Sequence, residues 1–182
     1  NHAVMVHGEL KWPRLQVVSF AGICLSGAAA LKHAWLAIRA GDVQRAVATG
    51  SELASASLNS RHYEAEYEHK LKELEERPEI AFEKDFLRWM LSDGAGALLL
   101  EHQPRGELSL RIDWIELSSA ANELAACMYH GAEKNEDGSL LGWQWFGAAQ
   151  WGEKSIFSLK QDVRLLNENI VRATLAEPLA VV

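Results

Sequence analysis

Hydrophobic and polar positions divide the chain into segments of distinct period. Residues 1–10 place Ala3, Val4, Val6 and Leu10 on one side of a short helix, which Gly8 and Pro13 stop. Leu15–Val18 is a run rich in β-branched residues and predicts a short strand. From Leu25 to Ala40 the apolar positions run nearly all the way round a helix, with Gly41 as its left-handed stop and Arg39 in its last turn. Such a helix is expected to be buried between layers, the mark of a layered α/β fold. Arg45–Gly50 predicts a second strand, so that strand, helix and strand form a parallel, right-handed βαβ unit.

The pattern then changes. Residues 59–84 are dense in Glu, Lys, His and Tyr and predict a solvated helix broken near Pro78. Gly94 and Gly96 mark a tight turn into a buried strand at Ala95–Leu100. Leu108, Leu110, Ile112 and Trp114 alternate along a further strand over 108–117. Residues 118–158 read as an irregular loop rich in glycine, tryptophan and phenylalanine. Its aromatics suit a ligand pocket or a subunit contact equally well. Residues 159–175 return to helix, with Val163, Leu166, Ile170 and Val171 on one side and Lys160, Arg164 and Arg172 on or near the exposed one.

Charge and cysteine content narrow the function. Twenty-five acidic against 18 basic residues give a net charge of −7, which argues against nucleic acid as the main partner. No apolar run is long enough to cross a bilayer, so no membrane role is expected. The two cysteines, Cys24 and Cys127, lack metal-ligand spacing and cannot make a disulfide framework. A reducing cytoplasm is the expected compartment. No metal is expected: a site built from His62, His69 and the neighbouring glutamates is outweighed by a plain charged face. The glycines at 94 and 96 lack a nucleotide fingerprint and precede a strand, so nucleotide binding is rejected.

Cys24 is the candidate for chemistry. It lies where the strand turns into the apolar helix, with Gly22 and Gly27 around it. A helix start has unpaired amides and partial positive charge, which favour the anionic form of a thiol placed there. Strand, turn, cysteine and helix is the layout of a nucleophile elbow. An inert, packed cysteine is the alternative that residue pattern alone leaves open. Cys127 reads as structural or loop-exposed, and His33 as a core or edge histidine.

These residues resemble a known family. Val17-Val18-Ser19-Phe20-Ala21-Gly22-Ile23-Cys24-Leu25-Ser26-Gly27 is similar to the nucleophile region of β-ketoacyl-[acyl-carrier-protein] synthase III-like enzymes of the thiolase superfamily. Ala46–Glu52 is similar to the family's next core strand, and Ser92-Asp93-Gly94-Ala95-Gly96-Ala97 to its Gly-Asp-Gly-Ala-Gly-Ala motif, with Ser92 in place of the first glycine.

The resemblance implies a thiolase-like layered αβαβα fold, here mostly its N-terminal half with a buried nucleophile helix. Residues 1–117 would belong to that half, with 59–84 as a charged insert, 118–158 as a loop region and 159–182 as the start of the C-terminal half. It implies decarboxylative condensation through acyl-Cys24, using acyl-CoA or acyl-carrier-protein thioesters as substrates, no cofactor, and a homodimer. The family's catalytic histidine and its partner lie in the second half, and none of the seven histidines here matches that motif. The chain thus reads as the middle of a longer enzyme. Acyl transfer to an oxygen or nitrogen acceptor, or a non-catalytic scaffold subunit, are the alternative readings. Lys160, Arg164 and Arg172 are candidates for docking an acidic carrier protein.

Overall fold

The computed structural model describes residues 2–62, 64, 71, 75 and 89–176. The charged segment expected at 59–84 lies mostly outside the described residues. The chain divides into two compact units, residues 1–52 with 94–117, and residues 53–93 with 118–182.

In the first unit, α1 (His2–Leu10) precedes an elbow that opens α2 (Ser26–Arg39). Strands β1 (Arg45–Glu52) and β2 (Gly94–Glu101) follow. A full Schellman turn ends α2: the Gly41 amide donates to the Ile38 carbonyl and the Asp42 amide to the Ala37 carbonyl. Gly41 takes the left-handed conformation, φ 77°, that this motif requires.

β1 and β2 form an antiparallel ladder running from Arg45↔Glu101 to Glu52↔Gly94. One face turns Ala46, Ala48 and Leu100 toward α2, where Ala34 and Ile38 complete a small core. Trp35 packs at its border, donating from Nε1 to the Ile112 carbonyl at 3.3 Å and carrying the Arg39 guanidinium on its ring.

Four expectations are corrected here. The Leu15–Val18 segment forms no strand among the described residues, so the parallel βαβ unit is replaced by a helix on an antiparallel pair. A strand exists only through its ladder, and this short run finds no partner. The nucleophile helix is not buried all round: it packs on one sheet face only and leaves Leu36 48% exposed. Nor is β2 fully buried, since only Leu100 reaches the core. The 108–117 segment also forms no strand, and Leu110 is 92% exposed. Its alternation is real, but only Ile112 is drawn onto the core.

The second unit is more structured than its composition suggests. A four-residue helix α3 (Ala54–Ser57) opens it. Beyond residue 118 come β3 (Met128–Tyr129), β4 (Ala132–Lys134), β5 (Leu140–Gly142), α4 (Ala148–Glu153), β6 (Lys160–Gln161) and α5 (Val163–Val171). β4 pairs with β5 as a hairpin and β3 pairs with β6, both antiparallel. Ile156 is fully buried, and the Trp143, Trp151 and Phe157 rings meet with centroids 5.4–6.0 Å apart. The last helix starts at Val163 rather than 159, because Asp162 caps it by accepting the Leu165 amide at 3.0 Å.

Candidate active site

The elbow is built from backbone bonds within five residues. The Leu25 amide donates to the Gly22 carbonyl at 2.9 Å, and Ile23–Leu25 forms a 3-10 turn that leads straight into α2. The Ile23 carbonyl accepts from both the Ser26 amide and the Ser26 hydroxyl, the latter at 2.8 Å. This double bond to one carbonyl fixes the turn on which Cys24 stands. Cys24 is exposed rather than packed into the core.

The first turn of α2 lies over β1, with Gly27 above Gly50. A Cβ added at Gly50 would meet the Gly27 Cα at 3.8 Å, an ordinary contact. Gly50 pairs with Gly96, so the Cys24 turn sits at the glycine end of the ladder. Thus Gly50, from the first of the two sequence blocks that flank the insert, lies nearest to the start of α2, and Gly94–Ala97 of the second block pairs beside it in the ladder.

One member of the second block has a role that sequence reading missed. Asp93 accepts from the Ser55 amide at 2.8 Å and from its hydroxyl at 2.6 Å. The Ser55 hydroxyl first, then its amide, holds the Asp93 carboxyl below the usual carboxylate range. The bond ties the segment leaving β1 to the residue that enters β2. An acidic residue before Gly94 and a serine soon after β1 were the only sequence signals.

The histidines take local roles. His33 is exposed and its ring leans on Phe20 at 5.2 Å, an edge histidine beside the elbow. His2 meets the Ser51 hydroxyl at 3.2 Å, and His7 meets the carbonyls of Trp12 and Pro13. In the second unit His130 approaches Phe157 at 6.3 Å. Cys127 is half-buried, and its carbonyl accepts the Asp162 amide. Among the described residues no group of three or more His, Cys, Asp or Glu side chains is placed to hold a metal.

The three basic docking candidates each end on a carboxylate. Lys160 lies in β6, not on the helix, and its ammonium donates to Glu133 at 2.6 Å and to the Lys154 carbonyl at 3.1 Å. Arg164 pairs with Glu168 at 2.9 Å and Arg172 with Glu123 at 3.3 Å. Only the two arginines keep solvent-facing guanidinium groups.

No helix among the described residues is long and apolar enough to cross a membrane. No curated protein matches the chain. Residues 16–105 match the family model for the beta-ketoacyl synthase, N-terminal domain. That span holds the Cys24 elbow, α2 and both strands of the ladder. The 16–105 segment is therefore similar to a beta-ketoacyl synthase N-terminal domain, a family of the thiolase-like α/β fold.

Proposed function

We propose that this chain contributes the nucleophile of a condensing acyltransferase. The observation that carries the reading is an exposed Cys24 in the 3-10 turn that leads into α2, inside a segment similar to a beta-ketoacyl synthase domain. In the first step the Cys24 thiolate attacks the carbonyl of an acyl thioester. The carbon–sulfur bond to coenzyme A or phosphopantetheine breaks, and that thiolate leaves and takes up a proton. A malonyl-type thioester then loses carbon dioxide, and its carbanion attacks the acyl-Cys24 carbonyl. A β-ketoacyl thioester departs and Cys24 returns as thiolate. A thiolate serves both steps because it is a strong nucleophile and a good leaving group. The Cys24 amide, at a helix start, is the candidate donor to the oxyanion.

The synthase III-like form, in which the priming acyl group arrives on a small thioester, is the finer reading, and the elbow and Ser92–Ala97 blocks support it. A homodimer is supported by the sheet face opposite α2, where the paired Val47 and Leu99 stay open and Leu99 is 64% exposed. A carrier protein docking through Arg164 and Arg172 would have to displace Glu168 and Glu123. Charge reversal at the two arginines should therefore raise KM for carrier-bound substrates more than for coenzyme A substrates. An unchanged KM for both removes that docking site.

Product analysis with the full chain tests the reaction class. Cys24→Ala should abolish formation of a β-ketoacyl product from acyl and malonyl thioesters. Undiminished turnover of Cys24→Ala removes the reading. An ester or amide product in place of the β-ketoacyl thioester moves the activity to an oxygen or nitrogen acceptor.

A further inference from the structure

The two ends of the β1–β2 ladder are held differently. At the end away from the elbow, Arg45 and Glu101 pair across the strands at 3.0 Å, and Ala48 and Leu100 bury against α2. At the elbow end the pairs are Gly50↔Gly96, Ser51↔Ala95 and Glu52↔Gly94, and every one of these residues is exposed. A Cβ added at Gly94 or Gly96 would meet nothing within 4 Å. The His2 contact on the Ser51 hydroxyl, at 3.2 Å, joins α1 to β1 and does not cross the ladder. Strand ends without buried contacts open at little cost in free energy, and glycine weakens a strand further. Yet this end carries Gly50, over which Gly27 and the first turn of α2 lie.

Asp93 stands just outside the last pair, on the β2 side, and reaches the segment that leaves β1. Its Oδ1 accepts the Ser55 amide at 2.8 Å and its Oδ2 the Ser55 hydroxyl at 2.6 Å. Hydrogen bonds to a charged acceptor are the stronger kind. Their footing is firm, because Ala54, the residue before Ser55, is buried. We infer that Asp93 is a positioning residue for Cys24: its bonds to Ser55 close the ladder end that packing leaves open, and so hold in place the backbone on which the helix start behind Cys24 rests. The inference rests on the proposed acyl-Cys24 reaction. In this role Asp93 acts through the backbone of residues 50–52 and 94–96 and needs no contact with thioester or thiol.

Single-turnover acylation of Cys24 by acyl-CoA thioesters on the full chain tests it, read by intact mass beside alkylation of the same thiol by iodoacetamide. Misplacing a reacting group by about 1 Å costs on the order of 100-fold, so Asp93→Ala should lower the maximal acylation rate about tenfold or more, with the half-saturating thioester concentration unchanged. Alkylation needs only an exposed thiolate and should keep its wild-type rate. Asp93→Asn should recover most of the acylation rate, since its amide oxygen still accepts the Ser55 amide and its NH2 can donate to the hydroxyl. Ser55→Ala should lose less than Asp93→Ala, and the double variant should be no slower than Asp93→Ala alone, because both act through one contact. Hydrogen exchange in Asp93→Ala should quicken at residues 50–52 and 94–96 while Ala46–Ala48 keeps its protection. An unchanged acylation rate in Asp93→Ala overturns the inference. So does a parallel loss of acylation and alkylation with a lower Tm, which is what a merely structural role predicts. If wild-type Cys24 takes an acyl group from no thioester, the acyl-Cys24 reading itself falls, and the inference with it, whatever the exchange result.

Discussion

The two units are held together by different means. The first rests on a small core, Ala34 and Ala48 with Ile38 and Leu100, and Gly27 lies over Gly50 beside the elbow. The second rests on large and charged ones. Three aromatic rings meet edge to face or tilted, and Ile156 is fully buried. Two half-buried ion pairs, Lys134–Asp162 and Lys160–Glu133, close at 2.8 and 2.6 Å. Small residues let backbones approach closely, which is what a turn presenting a thiol requires. They bury little apolar area per residue, so such a unit gains less from packing. Aromatic and ionic contacts fix a fold more firmly but fill the space a reactive turn would use. Cys24, the proposed nucleophile, lies in the first kind of unit.

Removing the largest member of the small core should separate the two units most clearly. Ile38→Ala should cost about 2 to 4 kcal/mol, in the usual range for deleting a buried branched side chain. Hydrogen exchange should then quicken in α2, β1 and β2 while residues 128–171 keep their protection. Equal loosening of both units would erase the contrast.

Gly138→Ala tests the second unit in the same way. Gly138 has φ 84°, and an added Cβ would stand 2.9 Å from the Ala125 Cβ. Strain and clash together should cost about 2 kcal/mol or more. The exchange change should appear in the β4–β5 hairpin and spare the β1–β2 ladder.

A smaller effect is expected at Asp162. Its carboxyl is held below the usual carboxylate range, by the Lys134 ammonium first and by the Leu165 amide next. A carboxyl lowered on folding adds stability that is fully present above its ordinary pKa of 3.8 and is lost as pH falls through the lower folded value. Asp162→Ala should cost about 1 kcal/mol near neutral pH, mainly the helix cap, because the half-exposed pair is screened by solvent. The difference from wild type should narrow in strong acid, where the carboxyl is neutral but can still accept the Leu165 amide. A Tm gap that does not narrow there would contradict the assignment.

Smallest of all, Arg164→Ala should leave Tm unchanged, since its pair with Glu168 is exposed on the surface of α5. A clear loss of Tm would mean that this surface pair helps to hold the second unit.

Local pattern carried much of the first unit. The apolar run over 25–40 and the Gly41 stop match α2 and its Schellman turn almost residue for residue. The strands at Arg45–Gly50 and Ala95–Leu100 each lie inside β1 and β2. Their mutual pairing was not legible, because a strand's sequence shows which face is apolar but not which strand lies beside it. For the same reason the runs at 15–18 and 108–117 looked like strands and found no ladder. In the second unit the strands are two or three residues long, too short for any period to register. The carboxylate partners of Lys160 and Arg172, Glu133 and Glu123, were not legible because they are distant in sequence. At the elbow, the cysteine was visible in the sequence. The left-handed φ of Ile23 was not, since nothing in an isoleucine announces it.

The most direct test of the central claim is mass spectrometry of the intact protein after incubation with a panel of acyl thioesters, followed by peptide mapping. The account predicts a single acyl adduct on Cys24, absent from Cys24→Ala and discharged on addition of a malonyl thioester. A folded protein that carries no adduct on Cys24 with any thioester would contradict it, and would leave the elbow as part of a scaffold.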